Sequence, residues 1–562
     1  MNFIPIQGNT CIEVIILDFK KLFIYSPSPT SQNEALTDSP SSPCNNPGKN
    51  SYIKNDISAK STYTYIEGKV STDIQENLSF IQDAFEVSKN FDLVIRKFKV
   101  RLSDAFKDAF LIFYDGLSNK EYINRDIMKP LMQQSCPKDP LLSPEELIYQ
   151  CILTQAPNTM EQNMDKIIEA VGFGNCAIFV DGCSCAFVAD IKGWSSRSVG
   201  RPVTEAVLTG PQEAFCESVM PNIALVRKIL KDPNLIAENI SVGTKSKTPC
   251  ALMYINGITN VKLVAETRRR LKSVDVDYIF SSSDIEMLIE ESTLFPLPQI
   301  LKTERPDRAA AQLSDGKVVV IVQGSPFVLV LPATVADLTE TAEDNYVRTT
   351  EASFMRIVRV MGCLLALLLP GFFIAVMLYH HESIPTDLIL AIDASRERMP
   401  FPLVLELVVM ILAFELIKEA SIRVPDPIGS TLGIVGGLIL GQSAVSANIA
   451  SPLLIIIVSV SALGAFAAPS ASISRALSVL QFIFIFLGAI AGFAGIALGL
   501  FTGLAYLASV KSFGVSYLSR DSISNGIFII PPIWRRESRP SGLHPQNARK
   551  QPHISRKWKG EQ

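Results

Sequence analysis

The stretch IVRVMGCLLALLLPGFFIAVMLY, residues 357–379, decides how the whole chain is read. Its one charge, Arg359, sits near the start. As a helix rising 1.5 Å per residue it is about 35 Å long, enough to cross a hydrocarbon core of roughly 30 Å. A buried helix of a soluble domain is the plain alternative, and the uninterrupted apolarity argues against it.

Toward the C-terminus, residues 403–419, 431–448, 453–468 and 476–510 repeat the pattern with few charges. The last run would make a helix of roughly 50 Å, so a hairpin turning near residues 492–495 is expected, and six crossings result. Cytoplasmic loops collect Lys and Arg. Arg356 and Arg359 precede the first span, Lys418 and Arg423 lie between the second and third, and Arg475 follows the fourth. Lys511 and the basic stretch 534–559 follow the last. Six crossings put all of these on one side, with both termini cytoplasmic. The loop 380–400 carries Glu382, Asp387, Asp393 and Glu397 beside Arg396 and Arg398, as an outside loop can.

Toward the N-terminus the composition changes solvent. Residues 1–62, rich in Ser, Pro, Thr and Asn after residue 25, read as a disordered extension that cannot offset its ordering entropy by burial. Apolar runs then end repeatedly in tight-turn pairs: Asp115-Gly116, Asp181-Gly182, Asn256-Gly257 and Gln323-Gly324. Helical patterns over 74–88, 143–153, 159–170, 214–230, 261–271 and 283–292 lie between strand-like runs such as 92–100 and 109–114. The expected fold is an α+β soluble N-terminal region in two subdomains, 63–140 and 141–350, dividing at the Pro-rich stretch 136–144. An all-α polytopic transmembrane bundle of about six spans (355–511) and a basic cytoplasmic tail (512–562) follow.

The formal net charge of −3 gives no reason to expect nucleic acid as a partner. Ten Cys are scattered; Cys183 and Cys185 read as buried thiols on one face of a strand. All four His follow residue 379, which leaves no zinc ligand set and no Ser–His–Asp grouping in the soluble half. Gly172-Phe173-Gly174 lacks the third glycine of a dinucleotide loop, and Gly243-Thr244-Lys245-Ser246 lacks the upstream glycine of a phosphate loop. No cofactor and no enzymatic activity are expected.

Two features of the membrane segments carry functional weight. Glu406, Glu415 and Glu419 lie in the second span, where a charge facing lipid costs several kcal/mol. They are candidates for an ion pathway, against the plain reading of structural ion pairs near the membrane surface. Gly433, Gly437 and Gly441, then Gly488 and Gly492, then Gly495, Gly499 and Gly503 recur at helical spacing and make flat faces for close helix approach, within one bundle or between subunits.

Residues 201–248 contain Arg201-Pro202-Val203-Thr204-Glu205, then Gly210-Pro211-Gln212-Glu213 with Phe215, Glu217 and Asn222. Arg227, Pro233, Leu235, Glu238, Gly243, Ser246 and Thr248 continue the stretch. A second set spans Pro400-Phe401-Pro402, Phe414-Glu415, Glu419-Ala420, Arg423-Val424-Pro425, Pro427-Ile428-Gly429 and Gly441-Gln442-Ser443-Ala444-Val445. A third is Ser512-Phe513-Gly514-Val515-Ser516-Tyr517. In this order, over roughly residues 63–535, the chain resembles the A-subunit family of bacterial spore germinant receptors, of the GerA, GerB and GerK type. It departs at Thr209 and Ala214, where Arg and Gly are usual, and at Ser516, where Pro is usual; residues 1–60 have no counterpart.

The resemblance implies a multi-pass subunit of the spore inner membrane, working with a transporter-like B subunit and a lipoprotein C subunit. It also implies a homo-oligomer in contact with lipid that conducts ions when nutrient binds. The motif residues from Glu205 to Thr248 are then expected to serve subunit contact or the fold. Two rival readings are an accessory sporulation membrane protein of the same family without its own receptor partners, and a stand-alone secondary transporter. The transporter predicts inverted repeats with broken helices, and the sequence has no such symmetry.

Overall fold

The computed structural model describes residues 68–102, 105–133, 143–149, 158–193, 200–293, 295–397, 399–423, 436–437, 439 and 441–518. The expected extension 1–62 and the basic stretch 534–559 lie outside the described residues.

The N-terminal half holds two five-stranded antiparallel sheets. In the first, helix α1 (Ile74–Ala84) precedes strands β1 (Leu93–Leu102) and β2 (Ala105–Tyr114). A continuous helical stretch α2 (Lys120–Tyr122, Ile123–Met128, Lys129–Gln133) and α3 (Pro144–Leu147) follow. Next come β3 (Asn158–Glu161), α4 (Met164–Gly172), β4 (Cys176–Val180) and β5 (Ala186–Ala189), giving the order β1-β2-β4-β5-β3. Helix α1 forms because Ile74, Leu78 and Ile81 share one face, and Asp73 accepts the Gln75 N–H at 2.8 Å as its cap. Helices cover both faces of the sheet, so its central strands are buried on both sides.

The second sheet repeats the scheme. Helix α5 (Val219–Ile229) precedes β6 (Leu235–Val242) and β7 (Thr248–Ile255), then α6 (Val261–Ser273) and α7 (Ser282–Ile289). These lead to β8 (Leu301–Thr303), α8 (Pro306–Ser314), β9 (Val318–Val322), β10 (Val328–Leu331) and the short α9 (Val335–Thr339), in the order β6-β7-β9-β10-β8. The Asp-Gly, Asn-Gly and Gln-Gly pairs end strands as expected, with φ of 91°, 82°, 83° and 90° at Gly116, Gly182, Gly257 and Gly324.

Several local expectations change. The division expected near residue 140 falls inside the first sheet, which continues to Ala189; the connection between the sheets is the segment 190–218. Residues 159–161 pair with β5 as strand instead of starting α4, because the ladder satisfies their backbone groups. The helix expected from residue 214 begins at Val219, since Phe215 N–H is committed to Glu304 C=O at 2.8 Å. Cys183 and Cys185 occupy the turn between β4 and β5, not a strand, and both are buried. Burial pushes their thiols up to about 12 and about 11.

Helix α10 (Thr349–Tyr379) leaves the second subdomain. After α11 (Thr386–Arg396), inside the expected outer loop, come α12 (Leu403–Arg423), α13 (Pro452–Phe466) and α14 (Ala471–Ser509). The expected span 431–448 lies partly outside the described residues. Within α14 the chain reverses at Gly492 (φ 59°, ψ −139°), and Gly499 packs back against Phe484 and Leu487. Among the described residues, α10 and α14 are the helices long and apolar enough to cross a membrane.

The helix ends alternate. Ile473, Leu477, Leu507 and Val510 pack against the core of the second subdomain, while the reversal at Gly492 meets Tyr379 at the far end of α10. Tyr379 Oη donates to Ala489 and Ile490 C=O at 2.9 and 2.7 Å. Glu406, early in α12, meets Ser451 at the start of α13, whereas Lys418, late in α12, meets Ser478 in the first turns of α14.

Candidate functional site

The motif loop 200–217 lies across the start of α8. It is held by an acceptor from the junction of β8 and α8: Glu304 Oε1 accepts Thr204 N–H, Thr204 Oγ1–H and Glu205 N–H at 2.6, 2.9 and 2.7 Å. The Glu205 carboxylate is held in return, by Thr303 Oγ1–H at 2.5 Å, Glu304 N–H at 3.2 Å and the Arg308 guanidinium at 2.5 Å. Arg305, fully buried, donates to Pro211 C=O at 2.8 Å, Glu205 C=O at 3.3 Å and the Asp307 carboxylate. Charge-assisted bonds of this kind are about twice as strong as neutral ones, so the loop is clamped.

The same helix reaches the root of the membrane block. Arg308 donates to Asp337 and Glu340 C=O at 3.1 and 2.9 Å, and Tyr346 Oη–H donates to Asp307. Gly210, at φ 130°, lies flat on the Tyr346 ring; a Cβ there would sit 2.8 Å from the ring. Two residues before Tyr346, buried Asp344 accepts from Arg356 at 3.1 Å and from Arg359 at 3.0 Å, both in the first turns of α10. Burial alone would push the Asp344 carboxyl up, but Arg359 and Arg356 outweigh it and hold it below the usual range.

The chain leaving the last helix returns to the same subdomain. Strands β11 (Lys511–Ser512) and β12 (Val515–Ser516) form a hairpin. Ser512 Oγ–H donates to Gln299 C=O at 2.7 Å and accepts Ala333 N–H at 3.2 Å. Tyr517, fully buried, donates to Pro298 C=O at 2.8 Å, and its own C=O accepts Val335 N–H at 3.1 Å. Both ends of the membrane block are therefore fastened to one subdomain.

The other motif residues are dispersed. Glu213 pairs with Lys228 at 2.6 Å on the surface, and Phe215 enters the core. Asn222 bridges Cys216, accepting its N–H at 2.8 Å and donating to its C=O at 2.6 Å. Arg227 crosses to the first subdomain: it donates to Asp92 at 2.5 and 2.9 Å, to Asn90 at 3.1 Å and to Leu235 C=O at 2.9 Å. Glu238 takes a two-pronged bond from Arg268 at 2.7 and 2.8 Å. Gly243, Ser246 and Thr248 close the β6–β7 turn, where Thr248 Oγ1–H donates to Ser246 at 2.9 Å.

In the membrane block the acidic residues separate. Glu406 is buried, accepts Ser451 N–H at 2.6 Å at the start of α13, and its Oε2 has no hydrogen-bond partner among the described residues. Glu415 instead accepts from Lys418 at 2.9 Å and Ser478 at 2.8 Å beside a cleft also lined by Ser461 and Gln481; Glu419 is exposed. Of the glycines, Gly488 packs on Gly371 of α10, Gly492 makes the reversal, and Gly495 and Gly499 face Leu487 across it. Gly437, Gly441 and Gly503 have open space around them, and Gly433 lies outside the described residues.

Sequence reasoning missed Arg305, Arg308, Glu304, Asp344 and Tyr346, whose side chains have no local signature. It also missed Gly362, Gly371 and Gly464, which build the contacts of α10 with α13 and α14. Gly362 and Ala366 show the small-xxx-small pattern within the quoted stretch, with Gly371 one residue beyond the next step.

A family model described as Bacillus/Clostridium GerA spore germination protein matches residues 79–542. Spore germination protein KA of Bacillus subtilis (strain 168) is 36% identical over 82% of this chain and 85% of its own. Uncharacterized membrane protein YfkQ of the same organism is 34% identical over 86% and 93%. The crystal structure of the N-terminal domain of the A subunit of the Bacillus megaterium spore germinant receptor GerK3 matches 47% of this chain and 96% of that chain, at 29% identity and a TM-score of 0.35.

Proposed function

Because the chain belongs to the GerA family of spore germination proteins, we propose that it is the A-type membrane subunit of a nutrient-germinant receptor. It sits in the spore inner membrane, works with a transporter-like B subunit and a lipoprotein C subunit, and assembles with further copies of itself into an ion-conducting oligomer. One observation carries the reading: the second subdomain grips the first and last membrane helices together, at Asp344 and at Ser512–Tyr517. A change in that subdomain is thereby imposed on both ends of the bundle, which is what coupling between a sensing site and a pore requires. The alternation of helix ends supports an even number of crossings with both ends of the block on one face, and the Lys and Arg gathered at that face favour the cytoplasmic side. Glu406, Glu415 and Glu419 are the proposed ion-pathway residues, Glu406 foremost because its buried carboxylate has an oxygen without a hydrogen-bond partner among the described residues. Nutrient-triggered cation release from spores carrying Glu406→Gln, at unchanged protein abundance, tests this; unchanged release removes Glu406 from the pathway.

A second reading is an accessory membrane protein of the family without its own B and C partners. Co-purification separates the two, since the receptor reading requires both partners.

A further inference from the structure

The two subdomains are one unit built twice. Their strand orders agree position by position, β1-β2-β4-β5-β3 and β6-β7-β9-β10-β8, and so do their idiosyncratic bonds. Asn77 bridges Ser71 as Asn222 bridges Cys216, each six residues apart: the first at 2.9 and 2.7 Å, the second at 2.8 and 2.6 Å. Val70 N–H donates to Gln162 C=O at 2.9 Å as Phe215 N–H does to Glu304 C=O at 2.8 Å. Gly182 N–H donates to Thr72 C=O at 3.0 Å as Gly324 N–H does to Glu217 C=O at 2.7 Å. The turn Asp115-Gly116-Leu117-Ser118-Asn119 matches Asn256-Gly257-Ile258-Thr259-Asn260, and each closing Asn caps the next helix at 2.9 Å.

Where two copies share so much, their differences are informative. At the start of α4 in the first copy, Asn163 is an ordinary cap that accepts Asp165 N–H at 2.8 Å. The equivalent residue of α8 is Arg305, which makes no side-chain cap bond. Losing a cap destabilises a helix, and a buried cation at the positive end of a helix dipole is unfavourable again. Helix α8 gives up local stability at this position, and its guanidinium holds the loop at Glu205 and Pro211 instead. One turn on, Lys166 of the first copy pairs loosely with Glu161 at 3.5 Å, whereas its equivalent Arg308 joins Glu205 to the carbonyls of Asp337 and Glu340.

We propose that Arg305 and Arg308 are positioning residues that lock the loop 205–211 to the lead-in of the first membrane helix, making the second copy the actuator and the first its unmodified counterpart. The biological consequence rests on the receptor reading; the lock itself does not. The test uses the full-length membrane-embedded chain with Arg305→Asn, which restores the first copy's cap, and Arg308→Lys, which keeps charge but loses the fork. A glutamate-specific protease reports release of Glu205, and thermal unfolding reports the fold. Arg305→Asn restores a cap but strips Asp307 of its guanidinium and two carbonyls of a donor. The unfolding temperature is therefore expected to fall, cleavage after Glu205 to speed about tenfold or more, as loss of one charge-assisted hydrogen bond implies, and nutrient-triggered release to weaken. Arg308→Lys is expected to speed cleavage likewise. Cleavage unchanged in both variants, or cleavage after Glu205 sped no more than by Arg227→Met, which destabilises the fold elsewhere, overturns the lock. Faster cleavage with an undiminished nutrient response overturns the actuator assignment. If the wild-type chain supports no nutrient response, the receptor reading fails while the cleavage result still decides the lock.

Discussion

Replacing Arg227 by Met tests how the two subdomains are held together. Its side chain is 3% exposed and that of Asp92 is 0%, so removing the guanidinium leaves a buried carboxylate without its counter-charge. Breaking a buried pair in this way costs about 3–5 kcal/mol. The Arg227 guanidinium also stacks over the Tyr114 ring at 4.2 Å, a desolvated cation–π contact of about 2 kcal/mol, and Asn90 Oδ1 and Leu235 C=O lose a donor. Against a total stability of about 5–15 kcal/mol per domain, Arg227→Met should lower the urea midpoint for proteolytic attack on the membrane-embedded chain well outside experimental error. Arg227→Met combined with Asp92→Leu removes both charges and should recover most of the loss, because a well-packed apolar pair replaces a buried ion pair at little cost. A single variant as stable as the wild type, or a double variant no better than the single, would refute the reasoning.

Other consequences are as direct. Gly488→Val places a Cβ about 2.6 Å from the Gly371 carbonyl oxygen, so α10 and α14 must separate and folded protein in membranes should fall sharply; Gly503→Val, in open space, should accumulate normally by immunoblot. Tyr517→Phe removes the bond to Pro298 C=O and should cost about 1 kcal/mol, measurable as faster cleavage of the chain after the last helix. The Asp344 contribution follows the sign of its depressed carboxyl: it is complete at neutral pH and is lost as pH falls below the ordinary value of about 3.9 towards the lowered folded one. Asp344→Asn should therefore flatten the acid limb of stability against pH, and an unchanged limb would remove Asp344 from the clamp.

How much of this was legible in the sequence depends on the range of the interaction that decides each feature. The apolar runs, the strand-ending Gly pairs and the reversal near residue 492 are local, and the chain carries their signals openly. The strand-and-turn rhythm of both sheets was also visible, but not the border between the sheets, because β2 and β4 pair across a connection that no local pattern reports. The motif residues Glu205, Gly210 and Pro211 were singled out, yet their partners Glu304, Arg305, Arg308 and Tyr346 lie 94 or more residues away in several of the bonds. Those side chains look like ordinary surface charges until the fold buries them. The acidic residues of the second span were chosen together by composition, and the fold parts them, Glu406 toward the start of α13 and Glu415 toward Ser478.

Labelling with a membrane-impermeant thiol reagent at single added cysteines is the most direct check on the fastening of both membrane ends to one subdomain. Ser88 in the first subdomain and Glu382 beyond the far end of α10 are exposed positions, and Ser538 lies in the basic stretch after the last helix. Ser88→Cys and Ser538→Cys should be labelled from the same face of the membrane and Glu382→Cys from the opposite one. Labelling of Ser88→Cys and Ser538→Cys from opposite faces would contradict an even number of crossings and, with it, the common attachment.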